Sequence, residues 1–210
     1  IGSTTLKSNT TGNVNAAMGS GALELNTTGS SNVGLGADAL HFNTLGSSNT
    51  AVGYNSMRSN TEGAKNTALG ENALFANKGN NGLVAIGYNA MLNADNRVVG
   101  QLAANTAVGY EALKGSATPA NNIGTGNTAL GYQTLNAIPS SGGGGFNTAI
   151  GYQASLGNTS GSGNVALGYG SLAANTTSSD NTAVGAFALN TLNNGSSSSG
   201  NVAVGDRKSV

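Results

Sequence analysis

The sequence predicts an all-β fold, a parallel β-roll that winds as a solenoid of about twelve coils, and three observations carry that reading. A nine-residue segment of the form Asn-Thr-Ala-apolar-Gly-Tyr-x-Ala-Leu recurs along the chain, as in NTAVGYEAL at 105–113 and NTALGYQTL at 127–135. Successive core glycines lie 17, 17, 17, 17, 17, 22, 22, 20, 17, 17 and 20 residues apart, so one unit of 17 accepts insertions of three or five. Charged residues fall to 8% while apolar residues reach 38%; an ordinary soluble domain carries about a quarter charged residues. A fixed period of this length is the mark of a solenoid, in which each repeat buries its apolar face only against its neighbours. Residues 1–210 therefore read as a single repeat domain.

Within each copy the side chains alternate. In the copy at 49–57, Thr50, Val52 and Tyr54 point one way and Asn49, Ala51 and Gly53 the other, which is the period of a β-strand. One face is bulky and the other small. The pair that follows the glycine, Ser56-Met57 or Ala73-Leu74, is expected to begin a second short strand after a bend. The connecting segments carry Asn-Thr-x-Gly at Asn9 to Gly12, Asn26 to Gly29, Asn43 to Gly46 and Asn60 to Gly63. Glycine there is free to take positive φ and Asn to bond its own backbone, so this segment is expected to be the turn that closes each coil. Seventeen residues then hold two strands and two turns, which suits a flattened roll better than a triangular helix. Stacked at about 4.8 Å, twelve coils would make a rod of about 50–60 Å. Loop insertions are expected near 93–104, 114–126 and 139–146.

Stacking places equivalent residues in columns. Met18, Leu35, Val52, Leu69, Ile86, Val108, Leu130, Ile150, Leu167, Val184 and Val204 form one apolar column. Leu23, Leu40, Met57, Leu74, Met91, Leu113, Leu135, Leu172 and Leu189 form the other. These two columns are the expected core. Two large apolar groups per coil, at about 1.5–3 kcal/mol each when buried, hardly offset the ordering of about 17 residues. The expectation is an oligomer in which the small Asn/Ala/Gly face allows neighbouring chains to approach closely.

Composition narrows the partners. Formal net charge is zero, from eight basic and eight acidic residues scattered singly, so no basic stripe is present to neutralise phosphates or anionic lipid. Neither nucleic acid nor membrane insertion is expected. No apolar run approaches the roughly 20 residues of a membrane-spanning helix, and IGSTTLKSNT lacks the regions of a signal peptide. Because the chain enters in mid-repeat, an upstream start is expected. Cysteine is absent, which removes disulfides and thiolate metal sites.

The NTAxGxxAL copies resemble the repeats of phage tail fibres and bacterial surface fibres, and they are similar to the YadA-like head of trimeric autotransporter adhesins. The resemblance covers nearly the whole chain. It implies a left-handed β-roll, three chains side by side as a homotrimer, and a place on a virion or outside a cell. The function it implies is that of a structural and adhesive fibre segment that attaches to a cell-surface glycan or receptor.

All six tyrosines, Tyr54, Tyr88, Tyr110, Tyr132, Tyr152 and Tyr169, follow a core glycine directly. They are the candidate ligand-binding residues, because a ladder of rings could stack on sugar faces; packing against a core edge or a second chain is the commoner use of such rings. The threonine column, Thr50, Thr67, Thr106, Thr128, Thr148 and Thr182, has the look of an ice-binding array, yet Ala16, Val33, Val84, Val165 and Val202 interrupt it. His41, Phe42, Phe75, Arg97, Lys114, Phe146 and Phe187 are the unusual side chains available for ligand contact, and each reads as solvated or locally packed. For catalysis the inventory is poor. His41 is the only histidine, the carboxylates never pair locally, and no motif supplies a nucleophile with its base. No enzyme activity, cofactor or metal is expected. The alternative carried alongside the fibre is a stand-alone carbohydrate-active or ice-binding β-solenoid.

Overall fold

A computed structural model describes residues 2–94, 102–117, 124–137, 144–192 and 198–206. Eleven strands of three residues each, from β1 (Ala16–Met18) and β2 (Val33–Leu35) through β6 (Thr106–Val108) and β7 (Thr128–Leu130) to β11 (Val202–Val204), form one parallel sheet in sequence order. The remaining strands are β3 (Thr50–Val52), β4 (Thr67–Leu69), β5 (Val84–Ile86), β8 (Thr148–Ile150), β9 (Val165–Leu167) and β10 (Thr182–Val184). Each pairs with the next in register, Ala51 facing Ala68 and Ala68 facing Ala85. The longer repeats leave this untouched: Ile86 still pairs with Val108, Val108 with Leu130 and Leu130 with Ile150. Most of the insertions expected near 93–104, 114–126 and 139–146 lies outside the described residues.

The chain is thus a parallel β-solenoid, with about ten turns between its first and last strands rather than twelve. Counting core glycines overstates the turns, since Gly2 is not preceded by a described strand. Among the described residues the second strand expected in each coil is also absent. Ser56-Met57 and Ala73-Leu74 lie in turns, because the column of Leu23, Leu40, Met57 and Leu74 sits at φ of 50°, 54°, 51° and 54°. Asp38, Asn55 and Asn72, two residues earlier, are left-handed as well, at 55°, 56° and 56°. Left-handed residues at every second position roll the backbone through overlapping turns, as positive φ does at the third place of a type II turn. Amide hydrogen bonds alternate accordingly. Ala39 and His41 donate to Gly36 and Asp38 within the coil, whereas Asp38 and Leu40 donate to Ser20 and Ser56 in the coils on either side.

The core lies on the other face of the sheet from the one expected. The central alanine of β3 to β8 is fully buried, while Met18, Leu69, Leu130, Ile150 and Val204 of the bulky column stay largely exposed. The Leu23 to Leu189 column is buried as expected. Its closeness explains why small residues face it. Even at Gly34 an added Cβ would come within 3.3 Å of Leu23 Cγ and of the Ala39 carbonyl oxygen, so the coil has room for alanine on one wall only because leucine fills the other. The Asn/Ala face therefore lines the interior and cannot be a contact between chains.

Two columns of asparagine complete that interior. Asn26, Asn43, Asn60 and Asn77 are buried, each donating Nδ2 to Oδ1 of the asparagine one coil earlier, at 2.7, 2.8, 2.7 and 2.9 Å. In the second column the backbone amides of Asn32, Asn49 and Asn66 donate to Oδ1 of Asn15, Asn32 and Asn49. Both columns converge on shared carbonyls: Gly29 O accepts from Asn15 and Asn26, and Gly46 O from Asn32 and Asn43. A buried amide costs little only when its donors and acceptors are met, and here the repeat meets them from coil to coil as far as Asn77, whose Oδ1 is buried with no partner among the described residues. The turn glycines beside these columns do not use positive φ, contrary to expectation. At Gly29 a Cβ would lie 2.6 Å from Asn26 Oδ1 and against the Gly46 carbonyl, so close stacking is what requires glycine there.

Candidate functional site

The core glycines set the position of the tyrosines. Gly87, Gly109, Gly131 and Gly151 end their strands at φ of 127°, 135°, 134° and 132°, a region that other residues avoid. The bend places Tyr88, Tyr110, Tyr132 and Tyr152 at one point of four successive coils. Their rings form a continuous stack with centroids 5.1, 5.1 and 4.8 Å apart and planes 20°, 9° and 7° from parallel. Tyr169 extends it edge-on to Tyr152 at 5.4 Å, and Phe187 packs edge-on to Tyr169 at 4.6 Å. Five of the six candidate tyrosines are therefore brought together. Tyr54 is not: Glu71 takes the next place in its column, and among the described residues Tyr54 stacks on no ring.

This geometry limits what the ladder can do. The two inner rings, Tyr110 and Tyr132, have both faces against neighbouring rings, so what reaches solvent from them, at 43% and 38% exposed, is edge and hydroxyl. Stacking of a sugar needs an open ring face, which Tyr54 has and the inner rings lack. Burial raises the phenol pKa of Tyr110 above its ordinary 10.0, and the charge of Glu111 and the neighbouring Tyr88 and Tyr132 phenols push the same way against Lys114.

A second ladder runs beside the rings, at the left-handed position one residue later. Asn55 donates to Asn72 at 3.3 Å and Asn72 to Asn89 at 3.1 Å; further along, Gln133 donates to Glu111 at 2.9 Å and Gln153 to Gln133 at 3.1 Å. Lys114 pairs with Glu111 at 2.8 Å. Burial alone would raise the Glu111 pKa, but hydrogen bonds from Lys114, Gln133 and Asn89 and the lysine charge together hold it below its ordinary value. Sequence reasoning passed over this column. The available signal was the run of Asn, Gln and Glu two places after six successive core glycines, Gly53 to Gly151, residues among which Asn tolerates left-handed backbone.

The other unusual side chains fall into local contacts. His41 Nδ1 lies 3.5 Å from Asp38, 3.8 Å from Glu24 and 3.2 Å from the Gly21 carbonyl oxygen. Lys7 and Thr4 hold Glu24, Arg58 holds Asp38, and the Arg58 guanidinium lies 4.9 Å over the Phe42 ring. The two carboxylates nearest the histidine are thus already matched to cations. Phe146 is largely exposed, and Arg97 lies outside the described residues. Among the described residues no three acidic, histidine or cysteine side chains could share a metal ion, and no helix is long and apolar enough to cross a membrane.

The remaining surface of note is the outer face of the sheet. Thr67 and Leu69, and Thr128 and Leu130, stand exposed on it, and the same two columns repeat along all eleven strands. No family model, curated protein or solved structure matches the chain.

Proposed function

We propose that this chain is a structural and adhesive segment of an extracellular fibre, three copies packed side by side, of the kind found in phage tail fibres or bacterial surface adhesins. The observation that supports the reading is the uncovered bulky face of the sheet. Met18, Leu69, Leu130 and Val204 are 57%, 45%, 44% and 68% exposed in the single chain, in a column that runs its full length. Monomeric soluble proteins rarely leave so long an apolar strip bare. Because every strand places an aliphatic side chain two residues after a threonine, valine or alanine, a copy in register meets equivalent columns all along its length. A second copy is thus the natural cover. The left-handed winding and the threefold arrangement rest on the resemblance of the repeats to those fibres.

In such an assembly the coils are a rigid rod and the residues between copies are the variable part. Attachment then works by avidity, three chains presenting each weak contact to a cell-surface glycan or receptor three times, without a deep pocket. The deciding experiment is native mass by light scattering before and after heating. A stable mass near three chains supports the fibre. A folded monomer overturns it and returns the reading to a single-chain carbohydrate-active or ice-binding solenoid, for which glycan cleavage or ice-growth inhibition is the direct assay.

A further inference from the structure

The chain contains no cysteine and no tryptophan, so tyrosine is its most readily one-electron-oxidised side chain. Five of its six tyrosines stand in a row. The centroids of Tyr88, Tyr110, Tyr132 and Tyr152 are about one coil spacing apart with planes within 20° of parallel, which brings neighbouring phenol rings face to face. Their outer edges are exposed, which admits an oxidant and leaves room for a ring to turn. Beside these rings Gln133 donates to Glu111 and Gln153 to Gln133, so the residues that follow Tyr110, Tyr132 and Tyr152 are linked from coil to coil.

We propose that the tyrosine ladder is an oxidative modification site, at which neighbouring rings of one chain couple to dityrosine and staple successive coils together. The oxidant is a peroxide acting through a peroxidase. Each of two phenols gives up one electron and one proton, and the two phenoxyl radicals join by a new bond between carbons ortho to their oxygens. The ortho hydrogens then move to the oxygens as the rings regain aromaticity. Two hydrogens leave in all, and one hydrogen peroxide takes them up as two waters. The staple joins residues that are 22 or 20 apart in sequence but adjacent in the stack. The inference does not depend on the fibre reading, since it needs only one folded chain.

Trypsin separates the partners. Tyr54 falls in peptide 8–58, Tyr88 in 79–97, Tyr110 in 98–114, and Tyr132, Tyr152 and Tyr169 in 115–207. The folded chain, mixed equally with a nitrogen-15-labelled copy, is treated with horseradish peroxidase and hydrogen peroxide, and the digest is read by mass spectrometry with a tyrosine-containing peptide as the reaction control. The expected products are 79–97 joined to 98–114 and 98–114 joined to 115–207. Each should be two hydrogens lighter than its parts and carry one isotope only, with 8–58 absent from the joined pairs. Tyr110→Phe keeps the ring but not the phenol, and both products are expected to vanish. Mixed-isotope pairs, equal participation of 8–58, the same pairs from the urea-unfolded chain, or no coupling while the control peptide couples, would each overturn the proposal.

Discussion

Asn43 donates its side-chain amide to Oδ1 of Asn26 at 2.8 Å, and its own Oδ1 accepts the amide of Asn60 at 2.7 Å. The same Nδ2 reaches the Gly46 carbonyl at 2.9 Å, so one buried side chain joins three coils and closes its own turn. Asn43→Ala removes the donor that Asn26 Oδ1 requires and the acceptor that Asn60 uses. An orphaned buried polar group costs about 1–3 kcal/mol, and a loss of that size in chemical denaturation is expected. Asn43→Asp should cost more, because a carboxylate cannot donate to Asn26. A neutral result for both would show that water fills the column.

The core glycines combine two demands that can be separated experimentally. Gly36 sits at φ 137°, and an added Cβ would lie 2.5 Å from the Gly53 carbonyl oxygen; Gly205 sits at 123° with nothing within 4 Å of such a Cβ. Gly36→Ala carries both conformational strain and a backbone clash in mid-stack. Gly205→Ala carries strain alone, about 1–3 kcal/mol. Thermal melts should therefore rank Gly36→Ala well below Gly205→Ala, and equal melts would mean that stacking distance is not what demands glycine.

Leu74 and Leu69 stand five residues apart in one coil and test the two faces. Leu74 is fully buried, and Leu74→Ala should cost about 2–5 kcal/mol. Leu69 is 45% exposed on the outer face. For a single chain Leu69→Ser should change stability by no more than about 0.5 kcal/mol. In the proposed assembly the same substitution, made together with Leu130→Ser, should lower the native mass toward one chain. Circular dichroism and light scattering on the same samples distinguish the two effects.

These faces also show what the sequence could and could not convey. The alternation through Thr50, Ala51 and Val52 identified a strand, and the spacing of Gly53 from Gly70 gave its register, because both follow from backbone periodicity alone. Which face is interior does not. Bulk suggested that Val52 and Leu69 point inward, but the wall opposite was already occupied by Met57 and Leu74, and only Ala51 and Ala68 fit against them. Met57 and Leu74 in turn read as strand residues because left-handed backbone is uncommon for large side chains; amide hydrogen bonds to Ala73 and Ala90 of the next coil hold them there, and no local signal announces that. The column of Asn26 and Asn43 was legible as a series of turns and not as a ladder, since a side chain's bond to its own turn is visible in a short motif and its bond to the next coil is not. The tyrosine ladder was legible as a column. That Tyr110 and Tyr132 lie nearly parallel, with their faces closed to a ligand, was not.

Acid sensitivity follows from Glu111. Its carboxyl is held below the ordinary 4.5 because the hydrogen bonds and charge around it outweigh its burial. A lowered pKa means that the unfolded chain takes up the proton first as pH falls, so this group's stabilisation is full above 4.5 and is lost as pH drops through the folded value. Lys114→Met deletes the hydrogen bond at 2.8 Å and the charge, leaving only the hydrogen bonds from Gln133 and Asn89 to oppose burial. The folded carboxyl pKa should then rise, and the melting temperature of the variant should begin to fall at a higher pH than that of the parent chain. A carboxyl NMR titration of Glu111, run beside melts between pH 3 and 6, measures both. If the variant's titration stays in place, Gln133 and Asn89 suffice to hold the carboxylate, and the lysine is only a neighbour on the surface.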